Sequence, residues 1–319
     1  MTASLRAVPK HAGPRVSVAQ ARARIGGAEL SVPASAANLG PGFDTLAVAL
    51  ALYLKVRVSE ILDGSVNGLT FEFASPRPAD NYVERAFRAA AEQEALEFPT
   101  LSLDVQSDIP MQAGLGSSAA ATVAGLLLYD RLAGPRDDRD LLSLATRLEG
   151  HADNVSAALG GGLTMSCVFD DGRVIARSSR WPEAVRFVAA TPAVAVATPD
   201  ARRVLPDAVP RRDAVFNLQR ALLLMHAVRE GELALLREAL RDRWHQPYRA
   251  PLVPGLDEAL TLEHPHLLGV CLSGSGPTVL ALCTGAVDEV SALLAQVYRR
   301  RQLPADIRVL AAHEAGTSL

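Results

Sequence analysis

Residues 110–120, with the sequence PMQAGLGSSAA, form a glycine-rich turn that runs directly into an alanine-rich segment. Such a turn places backbone N–H groups and the positive end of a helix at one point, which is typical of an anion site. Gly114 and Gly116 let the backbone approach a phosphate without a Cβ in the way. Ser117 and Ser118 add hydroxyls that can bond a phosphate oxygen or Mg²⁺. For this segment alone, a helix cap after a tight turn is an equally good interpretation.

Two better-known phosphate loops are excluded by the residues around this turn. A Walker A loop requires a Gly-Lys pair, and the chain has none. A Rossmann fingerprint requires a third glycine after Gly114 and Gly116, but serines and alanines follow instead. The flanking patterns predict a half-buried strand over residues 101–110, then a helix that is capped by one of the two serines and ends near Leu132.

Strand and helix patterns mix through both halves of the chain. Residues 80–98 predict a helix capped by Asp80 or Asn81, and residues 213–230 predict another with apolar residues at helical spacing. Residues 267–283, LLGVCLSGSGPTVLALC, are typical of a strand, a glycine turn and a second strand. The mixture predicts an α+β protein, and 319 residues are enough for two packed cores.

Three further loops combine Asn, Asp, Gly and small hydroxyl residues between apolar runs. They are residues 33–44 (PASAANLGPGFD), 149–154 (EGHADN) and 272–278 (LSGSGPT). Four loops of this chemistry are hard to explain as turns alone. In this order along residues 30–311, they resemble the motifs of the homoserine kinases in the GHMP kinase family. The departures are small: Ala36, Ala47 and Ala152 stand where that family commonly has Ser, Gly and Pro.

The resemblance implies a two-domain GHMP kinase fold with the active site between the domains. The N-terminal domain, expected over residues 29–168, is similar to domain 2 of ribosomal protein S5. The C-terminal domain, expected over residues 169–319, is ferredoxin-like. Residues 1–28 are basic and contain no acidic residue, so we expect a disordered N-terminal extension there.

The resemblance also implies an ATP- and Mg²⁺-dependent reaction, in which L-homoserine becomes O-phospho-L-homoserine in threonine biosynthesis. Many family members are homodimers, so a homodimer is expected. The residues expected at the triphosphate are Pro110, Gly114, Leu115, Gly116, Ser117, Ser118, Ala119 and Ala120. Asn81 is expected to contact the base. Glu149 is expected to bind Mg²⁺ together with Ser117 or Ser118; without the motif, a solvated acid near Arg147 is the better interpretation of Glu149.

An amino-acid substrate needs arginine for its carboxylate and an oxygen ligand for its ammonium group. The positions that match the family pattern for substrate are Asn38, Asp44, His151, Asp153, Asn154, Thr198, Arg202 and Arg249. We expect Arg202 and Arg249 to hold the carboxylate, with Arg203 as the competing neighbour of Arg202. His151 is equally well explained as a hydrogen-bonded structural histidine.

The expected catalytic residues are Thr198, Asp153 and Asn154. No catalytic base is assigned, because the resemblance implies a reaction that works largely by positioning the substrate hydroxyl close to the γ-phosphate.

Composition limits the partners. A formal net charge of −3 gives no support to a nucleic-acid partner, and no long unbroken apolar run indicates a membrane partner. The three cysteines lack CxxC spacing, which argues against disulfides and favours a cytoplasmic location. Two alternatives stay open: a GHMP kinase with another alcohol acceptor, and a non-catalytic nucleotide-binding protein on the same fold.

Overall fold

The first half of the chain is organised around one long strand. The computed structural model describes residues 13–74 and 78–314. The strands of the first sheet are β1 Glu29–Asn38, β2 Gly42–Val66, β3 Leu69–Phe73, β4 Pro99–Ser107, β5 Leu163–Val168 and β6 Val174–Ser179. Their order is β3-β4-β2-β5-β6, and β1 pairs with β2. Along β2, buried Leu54, Val56 and Val58 alternate with exposed Lys55 and Arg57, which is the period of a strand with one face on the core.

The helices of this half cover the sheet. They are α1 Val18–Ile25, α2 Tyr82–Gln93, α3 Ser117–Ala133, α4 Asp138–Glu149 and α5 Asp153–Gly160. Helix α3 is buried almost all round, because its sequence is mainly Ala, Gly and Leu, and it packs against α2, α5 and β1. The predicted helix over residues 80–98 is confirmed as α2, although it ends at Gln93, where the chain turns into β4.

The second half is a smaller α/β layer. Its strands are β7 Arg186–Pro192, β8 Leu267–Leu272, β9 Val279–Cys283 and β10 Ala305–Leu310. Its helices are α6 Thr198–Arg203, α7 Arg211–Glu230, α8 Leu236–Ala239, α9 Gln246–Arg249, α10 Leu256–Ala259 and α11 Val287–Arg300, with 3₁₀ turns at Leu233–Leu235 and Ala250–Leu252. The antiparallel sheet has the order β10-β7-β9-β8. With its helical crossovers this is the ferredoxin-like β-α-β-β-α-β arrangement that was expected.

The two halves share a hydrophobic core and meet along an edge. The backbone N–H of Ala51 in β2 donates to the carbonyl of Ala311, just after β10, at 2.9 Å. The loop after β8 closes on the end of β1, since the N–H of Gly274 donates to the carbonyl of Ala37 at 3.1 Å. A cleft between the halves is therefore walled by loops from both.

Two expected boundaries were wrong. Residues 13–28 are folded: Ser17 and Gln20 form a capping box at the start of α1, and Ala21 and Ile25 are buried against α3 and β2. The basic composition concealed this amphipathic helix; residues 1–12 lie outside the described residues. The domain boundary at 168/169 falls inside the β5–β6 hairpin, so the first sheet extends to Ser179.

The predicted helix over residues 213–230 is confirmed as α7, but its apolar periodicity does not mark the core. Val215, Leu218 and Leu222 are exposed, whereas Phe216 and Leu224 point into the protein. An apolar stripe on the outside of a helix is a feature that the sequence pattern alone assigns to the wrong face.

None of the helices within residues 13–74 and 78–314 has the length and apolar character needed to span a bilayer.

Candidate active site

The phosphate loop is held in a left-handed conformation against the loop that follows β8. Gly114 and Gly116 have φ values of +77° and +68°. A Cβ on Gly114 would lie 2.4 Å from the carbonyl oxygen of Ser273, and the Ser273 hydroxyl donates to the Gly114 carbonyl at 2.7 Å. Gly116 is the N-cap of α3, and no side chain of the described residues caps this helix. Ser117 and Ser118 therefore lie in the first turn and not at the cap, and the first N–H groups are left for a ligand.

Glu149, at the end of α4, faces this first turn. Its carboxylate accepts a short hydrogen bond from the Ser118 hydroxyl and a longer one, of 3.5 Å, from Thr122. The side chains of Ser118 and Glu149 line the same cavity as the phosphate loop. This position excludes the interpretation of Glu149 as a solvated surface acid. One carboxylate beside serine hydroxyls and a phosphate site is a donor set that suits Mg²⁺, which commonly takes its other ligands from phosphate and water. No cluster of three or more His, Cys, Asp or Glu side chains within the described ranges could hold a metal by itself.

Asn81 caps a helix and also lines the cavity. Its Oδ1 caps α2 by accepting from the backbone N–H of Glu84 at 3.2 Å. Its Nδ2 is buried and has no hydrogen-bond partner in the described chain, although the residue lines the cavity. A buried unpaired donor costs free energy, which a ligand acceptor such as an adenine nitrogen would recover.

The loop between α4 and α5 carries a hydrogen-bonded chain. His151 Nδ1 lies 3.0 Å from Asp153 Oδ1, which also accepts from the backbone N–H of Asn154 at 2.7 Å. The buried Ser35 hydroxyl donates to Asn154 Oδ1 at 2.8 Å. Burial lowers the pKa of His151, but the bond to Asp153 and the nearby charge of Glu149 outweigh it, so this pKa lies above its ordinary value.

Arg202 makes a bidentate ion pair with Asp44. The two Nη–Oδ distances are 2.9 and 2.8 Å, and the bond to Asp44 raises the already high pKa of Arg202. The neighbouring Arg203 instead pairs with Asp200 on the surface, with a side chain that is 75% exposed. The structure therefore selects Arg202, and not Arg203, as the arginine of the cleft.

Arg249 is the unusual charge of the site. It is 2% exposed, yet it forms no hydrogen bond to a carboxylate within residues 13–74 and 78–314. Its guanidinium donates to the carbonyls of Ala201 and Gly274, at 3.1 and 2.9 Å. Burial, together with the neighbouring charge of Arg202, lowers the pKa of Arg249 to about 10. A buried cation without a bound anion is costly, so this position favours an anionic ligand.

The phosphate loop, Glu149, Asn81, His151, Arg202 and Arg249 line one cavity of about 640 Å³, large enough for a nucleotide and a small acceptor. Of the predicted residues, those that line it are Asn38, Asp44, Asn81, Pro110, Gly114, Gly116, Ser117, Ser118, Glu149, His151, Asp153, Asn154, Thr198, Arg202 and Arg249. Leu115, Ala119 and Ala120 do not, because their side chains are buried behind the loop. Thr198 begins α6, with its hydroxyl 3.4 Å from that of Ser275.

Some residues of the site were missed from the sequence. The Phe43 ring lies between the two arginines, 5.3 Å from the Arg249 guanidinium and 5.6 Å from that of Arg202. His245 is fully buried and contacts both Phe43 and Arg249. Phe43 precedes Asp44 within a recognised loop, which was the available signal. His245 stands just outside the matching segment QPYRAPLVPG, so nothing pointed to it.

Comparison with known proteins identifies the protein family that has this fold and this phosphate loop. The family model of the GHMP kinases N terminal domain matches residues 81–162, and that of the GHMP kinases C terminal domain matches residues 224–300. The two matches fall on the two halves of the structure, and the first contains the phosphate loop and Glu149. The chain therefore belongs to the GHMP kinases.

Individual relatives show which branch of the GHMP kinases this chain resembles. The homoserine kinase of Moorella thermoacetica is 40% identical over 288 residues, which are 88% of this chain and 95% of the relative. That of Thermus thermophilus is 43% identical over 264 residues, 79% and 86% of the two chains. The crystal structure of homoserine kinase from Cytophaga hutchinsonii superposes with a TM-score of 0.78 at 26% identity, covering 90% of this chain and 95% of that one. The chain belongs to the homoserine kinase family.

Proposed function

We propose that this protein transfers the γ-phosphoryl group of ATP to the side-chain hydroxyl of L-homoserine, as the names of its relatives indicate. The observation that carries the proposal is the buried Arg249 in the same cavity as the phosphate loop. A cation held there without a carboxylate partner fits an acceptor with its own carboxylate. A sugar or another neutral alcohol would leave this charge buried and unpaired.

The acceptor end of the cavity suits a zwitterion. Its carboxylate would bind Arg249 and, after opening of the pair with Asp44, Arg202. The released Asp44 carboxylate would then receive the ammonium group. Asn38 supports this geometry, because its Oδ1 accepts from the backbone N–H of Asp44 at 3.0 Å and its Nδ2 donates to the carbonyl of Gly274 at 2.9 Å. Both charges of the amino acid are matched in this way, and the net charge of the site is unchanged.

The donor end would hold ATP. The first N–H groups of α3, with the hydroxyls of Ser117 and Ser118, would bind the triphosphate. Glu149 and one of the two serines would hold Mg²⁺, which when bound supplies charge neutralisation at the phosphates. The unpaired Nδ2 of Asn81 would receive an acceptor atom of the base.

The expected catalytic residues Thr198, Asp153 and Asn154 line the same cavity. Asn154 adjoins the phosphate loop, since a Cβ on Gly116 would lie 3.2 Å from its Oδ1. Its bond from Ser35 fixes the amide, and we expect its Nδ2, with the Thr198 hydroxyl, to orient the acceptor hydroxyl. The hydroxyl oxygen would attack the γ-phosphorus in line as the bond to the β-phosphate oxygen breaks and ADP leaves, and the hydroxyl proton would pass to an oxygen of the transferred phosphoryl group. Asp153 Oδ1 receives the hydrogen bonds of both His151 and Asn154, which fits a positioning role.

The reaction can be tested by coupled detection of ADP with MgATP and a panel of acceptors: L-homoserine, D-homoserine, L-threonine, L-serine, mevalonate, galactose and shikimate. The proposal predicts strong turnover with L-homoserine and weak or no turnover with the others. Turnover with another acceptor alone would leave a GHMP kinase of different specificity. Tight ATP binding without turnover of any acceptor would leave a non-catalytic nucleotide-binding protein.

We also propose a homodimer, formed through the exposed stripe of α7. Val215, Leu218 and Leu222 are 46%, 61% and 64% exposed at helical spacing, and a second copy of the helix would cover them. Light scattering coupled to size exclusion should give about twice the 33.8 kDa chain mass. Leu222→Glu should give the monomer, whereas the neighbouring exposed Gln219→Glu should not. A monomeric wild-type protein would refute this proposal.

A cytoplasmic location is proposed as well. Cys167, Cys271 and Cys283 are all free, and two of them are buried with raised thiol pKa values because of burial. Free thiols of this kind are typical of a reducing compartment. Localisation of a tagged chain in cell fractions would test the proposal, and recovery from an oxidising compartment would contradict it.

A further inference from the structure

His245 is buried beside the acceptor site, although the reaction described above does not use it. It stands at the start of α9, and it is 0% exposed. Its Nε2 lies 2.7 Å from the carbonyl oxygen of Gly40, in the loop between β1 and β2. Its Nδ1 lies 3.2 Å from Nη1 of Arg249, one turn further along the chain. The imidazole therefore joins the loop that carries Asp44 to the arginine of the carboxylate site.

The partners determine the tautomer of His245. A guanidinium can only donate, so Nδ1 must accept from Arg249 and carries no proton. A carbonyl oxygen can only accept, so Nε2 must carry the proton and donate to Gly40. Only the neutral imidazole with hydrogen on Nε2 satisfies both contacts.

The nearest carboxylate does not change this assignment. The side chain of Asp242 is fully buried, and its two oxygens accept four hydrogen bonds: from the backbone N–H groups of Trp244, His245 and Gln246, and from the amide of Asn217. Asp242 is thus occupied in holding the start of α9. It makes no hydrogen bond to the Arg249 guanidinium, which leaves the lone pair of His245 as the only side-chain acceptor of Arg249 in the described chain.

Three hydrogen bonds, from two of its nitrogen atoms, hold the Arg249 guanidinium in place. Nε donates to Ala201, and Nη1 donates to Gly274 and to His245, while Nη2 donates to no atom of residues 13–74 and 78–314. Gly274 O also accepts from Asn38, which orients Asp44. The Phe43 ring, 5.5 Å from the His245 ring, also packs against this guanidinium, whose carbon lies 5.3 Å from the ring centroid.

We propose that His245 is a positioning residue for the substrate carboxylate: its Nδ1 lone pair fixes Arg249 with Nη2 toward the cleft, and its Nε2–H ties Arg249 to the loop that carries Asp44. This inference rests on the proposed use of Arg249 as the carboxylate ligand. His245 itself need not touch the substrate.

Two substitutions of His245 distinguish the contribution of its Nδ1 atom from that of its Nε2 atom. In His245→Gln, the Gln Nε2 can replace the imidazole Nε2 as donor to Gly40, but the acceptor for Arg249 is lost. In His245→Asn, the Asn Oδ1 can replace Nδ1 as acceptor for Arg249, but the donor to Gly40 is lost. His266→Gln is the matched control, because His266 is an exposed histidine that bonds a backbone carbonyl, that of Thr284, and does not line the cavity.

The readout is the preference for a carboxylate, measured as the ratio of kcat/KM for L-homoserine to kcat/KM for 3-aminopropan-1-ol, which has the same hydroxyl and amine but no carboxylate. Both values come from the same preparation, so the ratio does not depend on how much of a variant is folded. We expect the ratio to fall about ten-fold or more in His245→Gln, the value of one hydrogen bond to a charged group, and to fall much less in His245→Asn. His266→Gln should keep the wild-type ratio.

Each outcome is decisive. A ratio in His245→Gln equal to that of the wild type, with both substrates slowed alike, would show that His245 only packs the core and would overturn the inference. An equal fall in both variants would overturn the assignment of Nδ1 as the atom that positions Arg249. A wild-type enzyme that turns over neither compound, or does not prefer L-homoserine, would refute the proposed function instead, and the inference with it.

Discussion

Gly116 is the position of the phosphate loop at which a single methyl group should do the most damage. A Cβ there would lie 2.1 Å from the hydroxyl oxygen of Ser35 and 3.2 Å from Oδ1 of Asn154. Ser35 is fully buried, so its hydroxyl cannot swing into solvent to make room. We therefore expect Gly116→Ala to break the Ser35–Asn154 hydrogen bond and to shift the start of α3.

The size of the effect follows from two costs. A residue with a Cβ at φ +68° costs about 1–2 kcal/mol. The loss of the buried hydrogen bond between Ser35 and Asn154 adds about 1–3 kcal/mol. Gly231, at the C-terminus of α7, separates these costs, because its φ is +76° but a Cβ there would meet no atom within 4 Å. Gly231→Ala therefore carries the backbone strain without the clash.

Urea unfolding of both variants measures the free energy of unfolding, and the coupled ADP assay measures kcat and KM for each substrate. We expect Gly231→Ala to lose about 1–2 kcal/mol and to keep wild-type kinetics. Gly116→Ala should lose about 1–3 kcal/mol more, and kcat/KM for ATP should fall about 100-fold because the preorganised donors at the start of α3 are displaced. Equal stability losses in the two variants, with ATP kinetics intact in Gly116→Ala, would refute this reasoning.

Three further predictions concern charged side chains. Arg202→Ala should raise the KM for L-homoserine about ten-fold or more, whereas Arg203→Ala should not change it; equal effects on steady-state kinetics would contradict the assignment of Arg202 to the cleft. Glu149→Gln should raise the Mg²⁺ concentration that gives half-maximal activity, and an unchanged Mg²⁺ titration would remove Glu149 from the metal site. The pKa of His151 is raised in the folded protein, so its charged form stabilises the fold fully below about pH 6.5, and this stabilisation is lost as the pH rises through the folded-state pKa. The difference in free energy of unfolding between the wild type and His151→Gln should thus be larger at about pH 6 than at about pH 9; a difference independent of pH would contradict the ion pair with Asp153.

The sequence was sufficient where local chemistry determines structure. Alternating apolar residues predicted the strand that became β4, a capping residue predicted the start of α2, and helical spacing predicted α7 close to its observed bounds. The same kind of pattern could not tell which side of α7 faces the core. That choice depends on what packs against the helix, and no residue within α7 contains this information.

In the site, too, local motifs could be predicted from the sequence, but long-range contacts could not. Loop motifs pointed to Gly114, Glu149 and Arg249, each within a recognisable segment, and the three residues line one cavity. The contacts that orient these residues come from residues distant in sequence. Gly40 and His245, for example, are 205 positions apart, yet they share a hydrogen bond. Long-range packing of this kind also explains why the folded segment around α1 was mistaken for a disordered extension, since its two buried residues have partners far along the chain.

The most direct test of the central claim is identification of the product that wild-type protein makes from MgATP and L-homoserine, by phosphorus NMR together with mass spectrometry. A homoserine kinase must yield one phosphomonoester on the side-chain oxygen of homoserine for each ADP released. ADP release without phosphorylated homoserine, or phosphate on another group of the amino acid, would contradict the claim.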